Sequence, residues 1–187
     1  MDFLGGAIVI ITVLSAVFVL WVLLRGANRH RGPFRVYIAG TMSGNSNDSL
    51  VDQSYRKKIT EILTSIYPDI VIDDPLLDHQ NSLDYDDQEA KRAFADCLRR
   101  SSYDADMLVA YIPEASMGTA LEIYEAFRKG KYIVIITPLL NNWIVRLYGD
   151  IAFSSIESFS AWVYDHALDP FVYGGINDFD GTRTWKS

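Results

Sequence analysis

The chain has 187 residues, a formal charge of -7 and a sequence pI of 4.9. So acidic a chain lacks the basic surface that phosphate backbones need, which excludes nucleic acid as an expected partner. Its one cysteine, Cys97, excludes an intrachain disulfide, and the three histidines (His30, His79, His166) form no zinc-type spacing with it. Neither a structural metal nor a cofactor is expected.

From Phe3 to Leu24 run 22 residues without a charge, enough at about 1.5 Å per residue to cross a hydrocarbon core of about 30 Å. The segment predicts one transmembrane helix, with the lipid bilayer as a partner. A cleaved signal peptide fits less well, because Asp2 precedes the run, no Lys or Arg does, and no small-residue cleavage site follows. Arg25, Arg29 and Arg31 crowd the other flank, which places the remainder in the cytoplasm. Residues 1–25 are then the anchor, 26–33 a polar linker and 34–187 one domain.

FRVYIAG (residues 34–40) is a β-branched and aromatic run ended by glycine and predicts the first strand. Apolar residues at helical spacing over 50–66, with Asp48 or Ser49 as N-cap, predict a helix, and DIVID (69–73) a short second strand. After an acidic connection to Asp84, helix is expected over about 86–100. MLVAYI (107–112) is a continuous apolar run, as in a parallel strand covered on both faces. A helix from Ser116 to a C-terminal Gly130, the strand YIVIIT (132–137), and helices over 142–148 and 155–166 follow. The alternation predicts a Rossmann- or flavodoxin-like open parallel sheet with helices on both faces, preceded by the transmembrane helix.

Ligands in such sheets bind beyond the carboxyl ends of the strands. There the loop 113–119 is the most informative. Ser116, Met117, Gly118 and Thr119 open a helix whose free N–H groups and positive dipole end suit a phosphate or carboxylate. Glu122 lies on the same face, four residues after Gly118.

The stretch DADMLVAYIPEASMGTALEIYEAFRKGKYIVIITP resembles the core of the nucleoside 2-deoxyribosyltransferase family, which includes the 2′-deoxynucleoside 5′-monophosphate N-glycosidases. VYIAGTMSG resembles that family's first strand and substrate-binding loop, and the resemblance covers roughly residues 34–165. It implies Glu122 as the nucleophile that forms a covalent glycosyl intermediate, Tyr37 as its hydrogen-bonding partner, and Asp96 as acid/base or sugar-contacting carboxylate. Ser116 would bind a 5′-phosphate, with Gly40, Ser43 and Gly44 in the first-strand loop. Ser43 stands where the glycosidases carry an arginine, and Arg56 is offered as the replacement cation, across a homodimer interface as in relatives. The Asp96 match needs about two extra residues in RRSSYDAD. The expected ligand is a small nucleoside or nucleotide. Alternatives are a glycohydrolase for nicotinamide dinucleotide or a signalling nucleotide, and a non-catalytic nucleotide sensor.

Overall fold

The computed structural model describes residues 32–42, 51–173 and 184–185. The proposed anchor, Phe3–Leu24, lies outside them, as do Ser43 and Gly44. Among the described residues no helix is long and apolar enough to cross a membrane.

In chain order the elements are β1 (Arg35–Gly40), α1 (Ser54–Ile66), β2 (Val71–Asp73), α2 (Asp87–Arg99), β3 (Met107–Tyr111), α3 (Met117–Arg128), β4 (Tyr132–Ile136), α4 (Trp143–Tyr148), β5 (Ile151–Phe153), α5 (Ile156–Tyr164), α6 (Asp169–Val172) and β6 (Thr184–Trp185). All strands are parallel, in the order β2-β1-β3-β4-β5-β6. The first five follow the flavodoxin-like order 2-1-3-4-5, whose switch point falls between β1 and β3.

Alternation along each strand feeds two separate cores. Val36, Ile38, Met107, Val109, Val134 and Phe153 pack under α1 and α5. Tyr37, Ala39, Leu108, Ala110, Ile133 and Ala152 face Ile123 and Ala126 of α3 and Val145 of α4. Both faces of the sheet are therefore dry, which is why the strands read as unbroken apolar runs.

Several boundaries differ from the sequence reading. Helix α1 starts at Ser54, not near residue 50: residues 51–53 are not helical, and Asp52 accepts from the Ser54 N–H at 2.9 Å. Strand β2 starts at Val71, because Asp69 belongs to a turn in which the Ile70 N–H donates to the Tyr67 carbonyl. The acidic connection to Asp84 carries local structure of its own. It holds two short 3₁₀ turns, Pro75–Leu77 and Ser82–Asp84, the first capped by the Asp74 side chain. Three caps match the expected positions: Ser116, Asn142 and Ser155 each accept a backbone N–H. Gly130, at φ +67°, takes the left-handed conformation after α3 that glycine adopts without penalty. The aromatic tail begins by docking on the first core, where Phe171 stacks on Tyr132 at 4.2 Å.

Candidate functional site

Tyr37 and Glu122 meet although 85 residues separate them. The Tyr37 hydroxyl donates to Glu122 Oε1 at 2.7 Å in a buried environment. Tyr37 stands in the middle of β1 and Glu122 in the second turn of α3, so the contact spans the β1/β3 switch point of the sheet. Glu122 is only 7% exposed. Burial lifts its pKa from 4.5 to about 7, opposed by the hydrogen bond from Tyr37 and by the charge of Arg56. The Tyr37 phenol is pushed far above its usual range, first by burial and then by the Glu122 charge, so it stays a hydrogen-bond donor. A carboxylate held near neutrality by burial, with one oxygen fixed by a phenol, is a group poised for acid, base or nucleophilic work.

Next to this pair stands Cys97 of α2. It packs on the cluster that contains Tyr37, and burial raises its thiol pKa. Its neighbour Asp96 points elsewhere. The Asp96 carboxylate pairs with Arg99 at 2.8 Å and Arg100 at 3.4 Å, and these guanidinium groups hold it below the usual carboxylate range. Arg100 also binds Asp73 and, at 2.7 Å, Asp78, which fastens the end of α2 to the end of β2 and the chain after it. The extra residues of RRSSYDAD form a π-helical turn, Arg100–Asp104, between α2 and β3.

Arg56 is buried, 3% exposed. Its guanidinium donates to Asp74 and to the Ile38 carbonyl, each at 2.8 Å, to Gln53 Oε1 at 2.8 Å and to Met42 Sδ at 3.5 Å. Its hydrogen bonds join β1, the approach to α1 and the chain after β2. Ser116 caps α3 by accepting from the Thr119 N–H at 3.4 Å, and its hydroxyl lies 2.9 Å from that of Thr119. Met117 is exposed beside it. An added Cβ at Gly118 would meet nothing nearer than Phe94 at 3.7 Å, so close packing does not require this glycine. Gly40 is different: a Cβ there would lie 2.2 Å from Tyr55 Oη and 3.0 Å from the Tyr111 carbonyl. That glycine lets Tyr55 stack on Tyr111, with ring centroids 4.4 Å apart.

Sequence reasoning did not single out Gln53, Tyr55, Cys97 or Thr41. The Thr41 hydroxyl, directly after Gly40, is buried and has no hydrogen-bond partner among the described residues. Its position in the first-strand loop was the available signal. A shallow groove between α1 and α5, lined by Lys58, Ile62, Ser160 and Tyr164, lies on the opposite face of the sheet from Glu122.

No protein-family model matches the chain, and no curated protein does. Among solved structures the fold is similar to that of a 2-deoxyribosyltransferase from the psychrotolerant bacterium Bacillus psychrosaccharolyticus. The match has a TM-score of 0.50 and 16% identity and covers 67% of this chain and 90% of that one. A conserved protein from Enterococcus faecalis V583 matches with a TM-score of 0.49 and 17% identity, over 72% of this chain and 99% of that one. The chain thus has the α/β fold of the deoxyribosyltransferase.

Proposed function

We propose that the α/β domain cleaves, or exchanges the base across, the N-glycosidic bond of a nucleoside or nucleoside 5′-monophosphate, with Glu122 as nucleophile. The observation that carries this reading is the buried Tyr37–Glu122 pair at 2.7 Å, at the switch point of a flavodoxin-like sheet. Fold likeness to a 2-deoxyribosyltransferase supports it.

In this mechanism Tyr37 occupies Oε1, and the other carboxylate oxygen of Glu122 attacks the anomeric carbon. The C–N bond breaks with its electron pair leaving on the base, which takes a proton from water. The resulting glycosyl ester is resolved when water, or a second base, attacks the same carbon and frees the carboxylate. Ser116, Met117, Gly118 and Thr119 would hold a phosphate at the start of α3. The Thr41 hydroxyl would donate to the substrate. Arg56, committed to Asp74 and Gln53 within one subunit, contributes charge rather than contact.

The test is chromatography of free base after incubation with deoxynucleoside monophosphates, nucleosides and nicotinamide dinucleotide in parallel. Release from none of them, with calorimetric binding intact, would replace the enzyme by a nucleotide sensor. Turnover needs the Glu122 anion, so kcat/KM is expected to rise with pH through about 7. The Tyr37 hydrogen bond favours that anion. Tyr37→Phe is therefore expected to move the rise to higher pH and to lose more activity at pH 7 than at pH 9, in a pH-rate profile.

The same reading includes a cytoplasmic domain anchored by Phe3–Leu24 and a homodimer. Retention of the full chain in carbonate-washed membranes checks the anchor, and light scattering of detergent-solubilised protein checks the dimer.

A further inference from the structure

We propose that Gln53 is a positioning residue for the substrate end of β1, joining the chain that leaves this strand to the chain that returns into α1. The inference deepens the proposed function, because it rests on substrate lying beside Gly40 and Thr41.

A glutamine amide offers two donors and two acceptor lone pairs, and Gln53 uses all four. Its Nε2 donates to the Thr41 carbonyl at 2.9 Å and to the Val51 carbonyl at 2.9 Å. Its Oε1 accepts from Arg56 Nε at 2.8 Å and from the Tyr55 hydroxyl at 3.2 Å. The Val51 N–H adds a second tie, to the Met42 carbonyl at 2.8 Å.

Gln53 occupies the N-cap position of α1, yet its side chain makes no cap bond there. Ser, Thr, Asp or Asn would satisfy helix N–H groups at that place. Its side chain instead turns back to the strand end. Arg56, fixed by Asp74 and Ile38, is the rigid support from which the amide reaches across. The tyrosine that shares Oε1 is the one seated against Gly40. The backbone of Gly40 and Thr41 is thereby set from the α1 side, while Glu122 and Tyr37 stand on the α3 side. Gln53 acts through that backbone on substrate binding, because its amide holds the Thr41 and Val51 carbonyls and not the reacting pair.

Gln53→Glu separates the two halves of the contact. It keeps an oxygen for Arg56 and Tyr55 but loses both donors to Thr41 and Val51. In the full chain, KM for 2′-deoxynucleoside 5′-monophosphates is expected to rise about tenfold, with kcat within about threefold of wild type, because Glu122 and Tyr37 are untouched. Amide exchange at Val51 is expected to quicken about tenfold, with β3 amides unchanged. A purely structural role would lower Tm without the KM-against-kcat split. An unchanged KM in a working enzyme overturns the inference. If wild type releases no base, the proposed function fails by itself. Val51 exchange then still decides: a rate within about twofold of wild type overturns the clamp.

Discussion

Glu122→Gln is expected to abolish base release, by roughly three orders of magnitude or more, while making the folded protein more stable at pH 8. Both effects come from one carboxylate. A neutral amide cannot form the glycosyl ester, and it can still accept from the Tyr37 hydroxyl. The stability gain follows from the raised pKa. In the unfolded chain Glu122 ionises near 4.5 and in the folded chain near 7, so the folded state holds the proton more tightly. Below pH 4.5 both states are protonated and the variant resembles wild type. As pH climbs to about 7 the unfolded state releases its proton first and wild-type stability falls. Above 7 the cost is complete, at about 1.4 kcal/mol per pH unit or roughly 3 kcal/mol in all. Denaturant titrations of both proteins at pH 4 and pH 8 check this: a stability gap that does not widen with pH would refute the buried-charge account. Asp96→Asn is the informative comparison. Its carboxylate is part-exposed and already held by Arg99 and Arg100, so most base release should survive, and a loss as deep as that of Glu122→Gln would return Asp96 to the reacting set.

The sequence carried the architecture where a segment had a strong local pattern. β3 and β4 are each runs of five apolar residues, all buried except the half-buried Tyr111, and Ser116, Asn142 and Ser155 are side chains of the kind that cap helices. It did not carry β5. Ile151–Phe153 is too short for any periodicity, and what fixes it is tertiary: Asp150 accepts the Ile133 N–H at 2.8 Å and brings the segment into register with β4. Of the candidate site, the sequence singled out Tyr37 and Glu122, which the fold brings into contact, each in a recognisable strand or helix start. Its third side was not. The π-helical turn at Arg100–Asp104 absorbs the extra residues before β3, and neighbouring residues on a helix face directions about 100° apart. Cys97 therefore packs by Tyr37, while Asp96 turns to the arginines. Nothing local distinguishes Arg56 from the exposed Lys57 beside it, since its burial depends on Asp74, Gln53 and Ile38, which other segments bring.

Arg56→Ala is the second large effect expected, about 3–5 kcal/mol of lost stability, because one partner of a buried ion pair is removed and the other stays. Asp74 pairs with Arg56 at 2.8 Å, and the two side chains are 13% and 3% exposed. The Ile38 carbonyl and Gln53 Oε1 would also lose a donor. One helix position away, Lys57 and Glu61 form a pair at 3.7 Å with side chains 82% and 64% exposed. Lys57→Ala should cost no more than about 0.5 kcal/mol, because water and salt already screen that pair. The contrast in one helix separates burial from charge as the cause. A double variant, Arg56→Met with Asp74→Asn, is expected to recover at least half of the loss by removing the uncompensated charge, and urea denaturation of wild type, Arg56→Met, Asp74→Asn and the double variant closes the cycle. Turnover should not recover with stability. Arg56 helps hold Glu122 ionised, so the double variant is expected to fold well and yet show its pH-rate rise displaced above 7. A double variant that regains both would reduce Arg56 to a structural residue. One that regains only stability ties the buried cation on the α1 side of the sheet to the carboxylate on the α3 side.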